Sequence, residues 1–441
     1  MSDWTFKELN EWDEKIVAMA KSYGLDWHPI VYEICDYYEM IGHMSYHGMP
    51  SHYHHWSFGK SFERTHQMYN LGMSGLPYEL IINSNPSIAY LMRENPMYLQ
   101  ILIMAHCVGH SDFFKNNSTF GHTKPDSIIP KMRSAKKRIQ KYIEDPSIGI
   151  EKVEKILDAC HAISFNVERY GRKRVPHKEK KEMWIKRLKS SKSNAPFRVD
   201  VNKVPIEPDY DILGFIVEHG VHLDEWERDI IEIVREESVY FMPQIKTKIM
   251  NEGWASFWHY KMMNELDLPD KYHIPFLKSH NQVVRPFGDR INPYHMGFYI
   301  FKRLEEEQGL DACFLAREIH NDESAIREFI DEKACRDLGL FSFSMKETKT
   351  EQIFTIDDVP DEPGWKQIQK DLIKTVGINN MPIIYVESAN RGGELILRHE
   401  HDGRDLDLNY AETVVKHIAD LWEDSVKLMT IIAEDGEDFE I

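Results

Sequence analysis

His106 and His110 are the residues from which chemistry can be read most directly. An i, i+4 spacing puts both imidazoles on one helix face, one turn apart, where they can share a metal ion. Their segment, MYLQILIMAHCVGHSDFFK (97–115), is apolar nearly all round, so the helix should be buried on every side. Two polar rings inside such a helix need partners, either a metal or a buried network of carbonyls and carboxylates. A second cluster, YHGMPSHYHHWS (46–57), is a loop holding His52, His54 and His55 beside Trp56. It can line a pocket or bind a planar or sugar ring, with His55 and Trp56 as the contact residues. It can equally be a packed loop anchored by Trp56 and Phe58.

Glu252, in Asn-Glu-Gly-Trp-Ala, follows the histidine pair by some 140 residues on another expected helix. A strand, then a His-x-x-x-His helix, then a distant Asn-Glu-Gly helix resembles the layout of gluzincin metallopeptidases. That likeness implies a zincin-like domain with Zn²⁺, or another divalent transition metal, held by His106, His110 and Glu252. One position departs from it. Where a His-Glu-x-x-His peptidase carries its general base, this chain has Cys107. A neutral thiol is a poor substitute. Either another carboxylate is the base, from Glu79 on the strand or Glu236 and Glu237 in Arg-Glu-Glu, or the site binds without hydrolysing. Glu236 and Glu237 read equally well as a helix face salt-bridged to Arg235.

The elements that must position these groups follow from periodicity. Apolar residues at helical spacing predict helices over 5–23, 29–45, 60–71, 130–144, 149–165, 295–308 and 322–337. A long helical region over 223–264 should be interrupted near Pro243. Tyr78–Asn83 is the clearest strand of the first half. Residues 169–195 are rich in Lys, Arg and Ser and read as a basic insertion or linker. Beyond about 348 the order becomes β-α-β-β-α-β, which suits a small ferredoxin-like unit with a hairpin turn at Asn390–Gly393. The expected fold is a mainly α N-terminal domain (1–345), zincin-like, followed by a small α+β C-terminal domain (346–441).

Composition narrows the function classes. A net charge of −18 argues against a general binder of nucleic-acid backbones. Five dispersed cysteines without a CxxC pair give neither a disulfide framework nor a thiolate zinc knuckle, and fit a reducing compartment. The N-terminus lacks the features of a signal peptide, and no apolar run is long enough for a membrane span. A cytoplasmic protein is expected.

Four segments then carry a specific likeness: YHGMPSHYHHWSFGKSFER (46–64), GLPYELIINSNPSIAYLM (75–92), AHCVGHSDFFKNN (105–117) and REESVYFMPQIKTKIMNEGWASFWH (235–259). They resemble the SpoVR (stage V sporulation protein R) family, as does HEHDGRDLDLNYAE (399–412). The resemblance implies a link to the spore cortex, a peptidoglycan layer, although relatives also occur in bacteria that do not sporulate. It also implies a pathway shared with a serine protein kinase and a von Willebrand factor A-like protein. It brings no settled activity. Two functions follow as expectations. One is a metal-dependent peptidase or amidase acting on a peptide or peptidoglycan-related substrate. The other is a non-catalytic, metal-containing regulator or scaffold in the kinase pathway.

Overall fold

Helices make up most of the chain, and the described residues also form three small sheets. The structure, a computed structural model, describes residues 3–71, 79–169, 174–190, 199–287, 290–347, 352–390, 393–432, 436 and 438–441. Tyr78 of the expected strand, parts of the basic stretch and residues 391–392 of the expected hairpin turn lie outside these. The first half runs α1 (Phe6–Ser22), β1 (Ile30–Cys35), α2 (Tyr37–Ser45), α3 (Trp56–Asn70), β2 (Glu79–Ile82), β3 (Ser87–Met92) and α4 (Met97–Asn116). It continues through α5 (Ile128–Glu144), α6 (Gly149–Ala162), α7 (His177–Ser190), α8 (Ile212–His219) and α9 (Glu225–Lys246). Then come α10 (Lys248–Glu265), α11 (Asp270–Val283), α12 (Pro293–Gln308), α13 (Leu310–Ile319), α14 (Asp322–Phe329) and α15 (Glu332–Asp337). The remainder is β4 (Ser342–Glu347), β5 (Gln352–Asp358), α16 (Gly364–Thr375), β6 (Ile383–Ala389), β7 (Leu395–Glu400), α17 (Leu408–Trp422), β8 (Val426–Ile431) and β9 (Asp438–Glu440).

Two compact units emerge, each built from two stretches of chain. The first joins Met1–Ser134 to Pro243–Gly377, and the second joins Ala135–Met242 to Ile378–Ile441. In the first unit, α4 and α10 share one apolar core with Trp254, Trp258, Phe257, Phe276 and Phe301. Seventeen residues of α4 are buried, which its all-round apolar sequence requires. Close approach of the helices depends on small residues. A Cβ on Gly109 of α4 would stand 2.7 Å from Ala255 Cα of α10, and one on Gly253 would stand 2.4 Å from Gly297 Cα of α12.

Local chemistry fixes the helix starts. Thr5 and Glu8 close a capping box at α1, and Asp36 and Glu39 close another at α2. Asp322 accepts from Ile249 N and Met250 N at 3.0 Å each, taking the first free amides of α10. The expected interruption of 223–264 therefore falls at Thr247, while Pro243 sits inside α9.

The helix expected over 29–45 is instead β1 followed by α2. Val31, Tyr32 and Ile34 favour a strand, and β1 finds a parallel partner in β3. β3 in turn pairs antiparallel with β2, giving the order β1-β3-β2 with β2 at the edge. The segment expected to be a basic linker includes helix α7.

The C-terminal elements keep the expected β-α-β-β-α-β order, but the first strand does not join the others. β5 pairs with β4, and α16 packs through Ile368 and Leu372 against Ile326, Ile330 and Ala334. The small C-terminal sheet has the order β6-β7-β8-β9, with β7 and β8 parallel, so the ferredoxin-like arrangement is not formed. In this second unit Arg235 donates to the buried Asp211, which also caps α8 by accepting from Gly214 N.

Candidate metal centre

Three elements of the first unit converge on one buried spot: α4 brings His106 and His110, α10 brings Glu252, and β2 brings Glu79. Both imidazoles are buried, their rings edge to face with centroids 4.5 Å apart. Glu252 Oε2 lies 3.5 Å from His106 Nε2 and 3.4 Å from His110 Nε2, and Glu79 Oε1 lies 3.8 Å from His106 Nε2. Glu79, His106 and His110 each bring a ligand atom within 4.8 Å of the others.

These separations are long for hydrogen bonds, which peak near 2.9 Å. They match another geometry. Nitrogen and oxygen ligands about 2.0–2.2 Å from a tetrahedral zinc stand about 3.3–3.6 Å from one another. Glu252 Oε2 is moreover buried without a hydrogen-bond partner. An unsatisfied carboxylate oxygen in a core is costly unless a cation takes its lone pairs.

The opposite ring nitrogens are held. His110 Nδ1 lies 2.8 Å from Asn251 Oδ1, and His106 Nδ1 lies 2.9 Å from His259 Nδ1. With the amide oxygen turned to it, His110 donates from Nδ1, so the position facing Glu252 at Nε2 takes either the ring's second proton or, once that is displaced, a metal. Tyr294 of α12 lies parallel to His106 at 6.2 Å, and burial together with the nearby Glu252 and Glu79 carboxylates pushes its hydroxyl far up.

The two carboxyl groups are driven apart in acidity. Burial raises Glu79, and the pull of His106 and His110 only partly offsets it. Burial also opposes ionisation of Glu252, but the same two imidazoles outweigh it and hold this carboxyl well below the usual range. His110 is raised because the attraction of Glu252 exceeds the effect of burial. Burial pushes the Cys107 thiol far up, with Glu79 adding to the rise, so it stays protonated at neutral pH. It cannot supply the missing base.

The structure therefore brings together His106, His110, Glu252 and Glu79 of the expected site. Glu237 is buried on the part of α9 that belongs to the second unit, and Glu236 is exposed there. Arg235 pairs with Asp211 and Glu232. His55 caps α3, with Nδ1 2.7 Å from Ser57 Oγ, and Trp56 is half exposed beneath Lys60. Their loop packs ring on ring: His52 lies parallel to Tyr46 and edge-on to Phe58. Sequence reasoning missed three neighbours of the site: Tyr294, His259 and His280. His259 alone had a signal, because it stands seven residues, two helical turns, after Glu252.

Family models match the chain as "SpoVR like protein" over residues 3–381 and "SpoVR-like C-terminal domain" over residues 382–433. The chain is similar to "Uncharacterized protein YcgB" of Escherichia coli (strain K12), 34% identical over 475 residues spanning 97% of this chain and 92% of the relative. No solved structure matches. Among the described residues, no helix is long and apolar enough to cross a membrane.

Proposed function

The chain belongs to the SpoVR family, and from that premise we propose that it is a metal-dependent hydrolase holding a divalent transition metal, Zn²⁺ in the first instance. His106, His110 and Glu252 would be the ligands. The observation that carries the reading is Glu252 Oε2, buried, unbonded and at ligand spacing from two imidazole nitrogens. When bound, such a metal supplies a Lewis acid that polarises an amide carbonyl and acidifies water.

The residues around it divide the remaining work. Glu252, held ionised, suits a ligand, and Glu79, with a raised pKa, suits a general base. Tyr294 lies parallel to His106 beside them. Because β2 is an edge strand among the described residues and carries Glu79, an extended peptide adding to it would run past the base. Edge strand, two-histidine helix and glutamate helix together support a zincin-like arrangement. The substrate class is a peptide or a peptidoglycan-related amide, in keeping with the family's link to the spore cortex.

The neutral Cys107 favours a second reading, in which the same metal centre is structural and the chain is a regulator or scaffold acting with the kinase pathway. The two separate on one experiment. Metal-loaded protein is incubated with peptide and muropeptide libraries and new termini are sought by mass spectrometry. Cleavage that drops about 10²–10⁴-fold in Glu79→Gln, with metal retained, is the expected result. No cleavage by the metal-loaded wild type would leave the scaffold reading.

A further inference from the structure

A line of three imidazoles runs from the metal centre into the core. His106 Nδ1 lies 2.9 Å from His259 Nδ1, and His259 Nε2 lies 2.8 Å from His280 Nδ1. All three rings are at most 3% exposed. They come from three helices, α4, α10 and α11. His280 is fixed in turn by Tyr260 and Phe298, with ring centroids 4.6 and 4.9 Å from its own.

Proton counting restricts such a line severely. Each nitrogen–nitrogen contact needs one hydrogen between the rings; none leaves two lone pairs opposed, and two make a clash. A neutral imidazole carries one N–H. If His106 offers its Nε2 lone pair to a metal, its hydrogen sits on Nδ1 and donates to His259 Nδ1. His259 must then hold its hydrogen on Nε2 and donate to His280 Nδ1. His280 keeps its own on Nε2. No other arrangement of three neutral rings satisfies both contacts and leaves His106 Nε2 free.

We propose that His259 and His280 are positioning residues: they lock His106 as the Nδ1–H tautomer and aim its Nε2 lone pair at a divalent metal. This rests on the metal reading above. It assigns to two imidazoles the task that a carboxylate or a backbone carbonyl performs behind most metal-bound histidines. It also explains why two buried polar rings stand in a core otherwise made of Trp254, Trp258, Phe257 and Phe276.

Zinc affinity of the full chain and the imidazole tautomers by ¹⁵N NMR test it together. His259→Phe keeps the ring's bulk and removes both bonds, so zinc should bind about 10–100-fold more weakly. His259→Asn offers an amide oxygen where Nδ1 was and should recover most of that loss. In the zinc-loaded wild type, His106 should be protonated at Nδ1, and His259 and His280 at Nε2. This spectrum needs no variant, so a His259→Phe chain that fails to fold does not shield the proposal. If the wild type binds zinc and His259→Phe binds within about threefold of it, or His259 carries its hydrogen on Nδ1, the positioning role is overturned while the metal centre stands. A wild-type chain that binds no zinc overturns both.

Discussion

Glu79 and Glu252 face the same two imidazoles yet are driven in opposite directions, Glu79 by burial and Glu252 by the charge of the rings. That difference gives a pH dependence with a definite sign. A raised folded pKa at His110 stabilises the metal-free protein below the unfolded value of about 6.5 and is lost as pH rises through the folded value. A lowered Glu252 stabilises it above the unfolded value of about 4.3 and is lost as pH falls. The metal must displace the His110 proton. Zinc affinity should therefore fall by up to about tenfold per pH unit between pH 8 and 6 for each proton displaced. A titration calorimetry series showing no change over that range would contradict the ligand assignment. At this scale the sequence was most legible, because His106 and His110 sit one helical turn apart and advertise themselves. His280 and Tyr294 lie 28 and 42 residues beyond Glu252 and share no short-range pattern with it. Only folding brings them near.

The three helices α4, α10 and α12 hold the site to shape through glycines rather than through long side chains. Gly253, next to Glu252, meets Gly297 so closely that any side chain at either position must push α10 off α12. Gly253→Ala should cost about 1–3 kcal/mol in denaturant unfolding, and it should weaken zinc binding in the same variant because Glu252 moves with the helix. Unchanged stability and affinity would mean that the crossing does not set the ligand geometry. The long helices were readable from their 3.6-residue period, and α4 from its apolar circumference. β1 was not. Ile30–Cys35 is a short apolar run that fits helix or strand alike, and only its parallel pairing with β3, more than 50 residues later, decides it. The role of β2 as an edge strand likewise depends on β3, which sits directly after it.

Across the whole molecule, chain order and compact units do not coincide. Residues 346–377 group with the first unit, because α16 seals the core formed by α12, α14 and α15, and the second unit is assembled from 135–242 and 378–441. The change from helical to mixed grammar near 348 marks a change in element type; which core each element joins depends on contacts over hundreds of residues. The metal site shares this character. Its histidines and its glutamate come from the two separate stretches of the first unit, so a bound metal would tie them together and add to the stability of that unit as well as to its chemistry. The most direct measurement is the metal content of the full chain purified without chelator, beside His106→Ala and Glu252→Ala. About one equivalent of zinc, manganese or iron in the wild type, and less than about a tenth in each variant, is the expected result. Less than about a tenth of an equivalent in the wild type, with no uptake of added zinc, would contradict a metal centre at His106, His110 and Glu252.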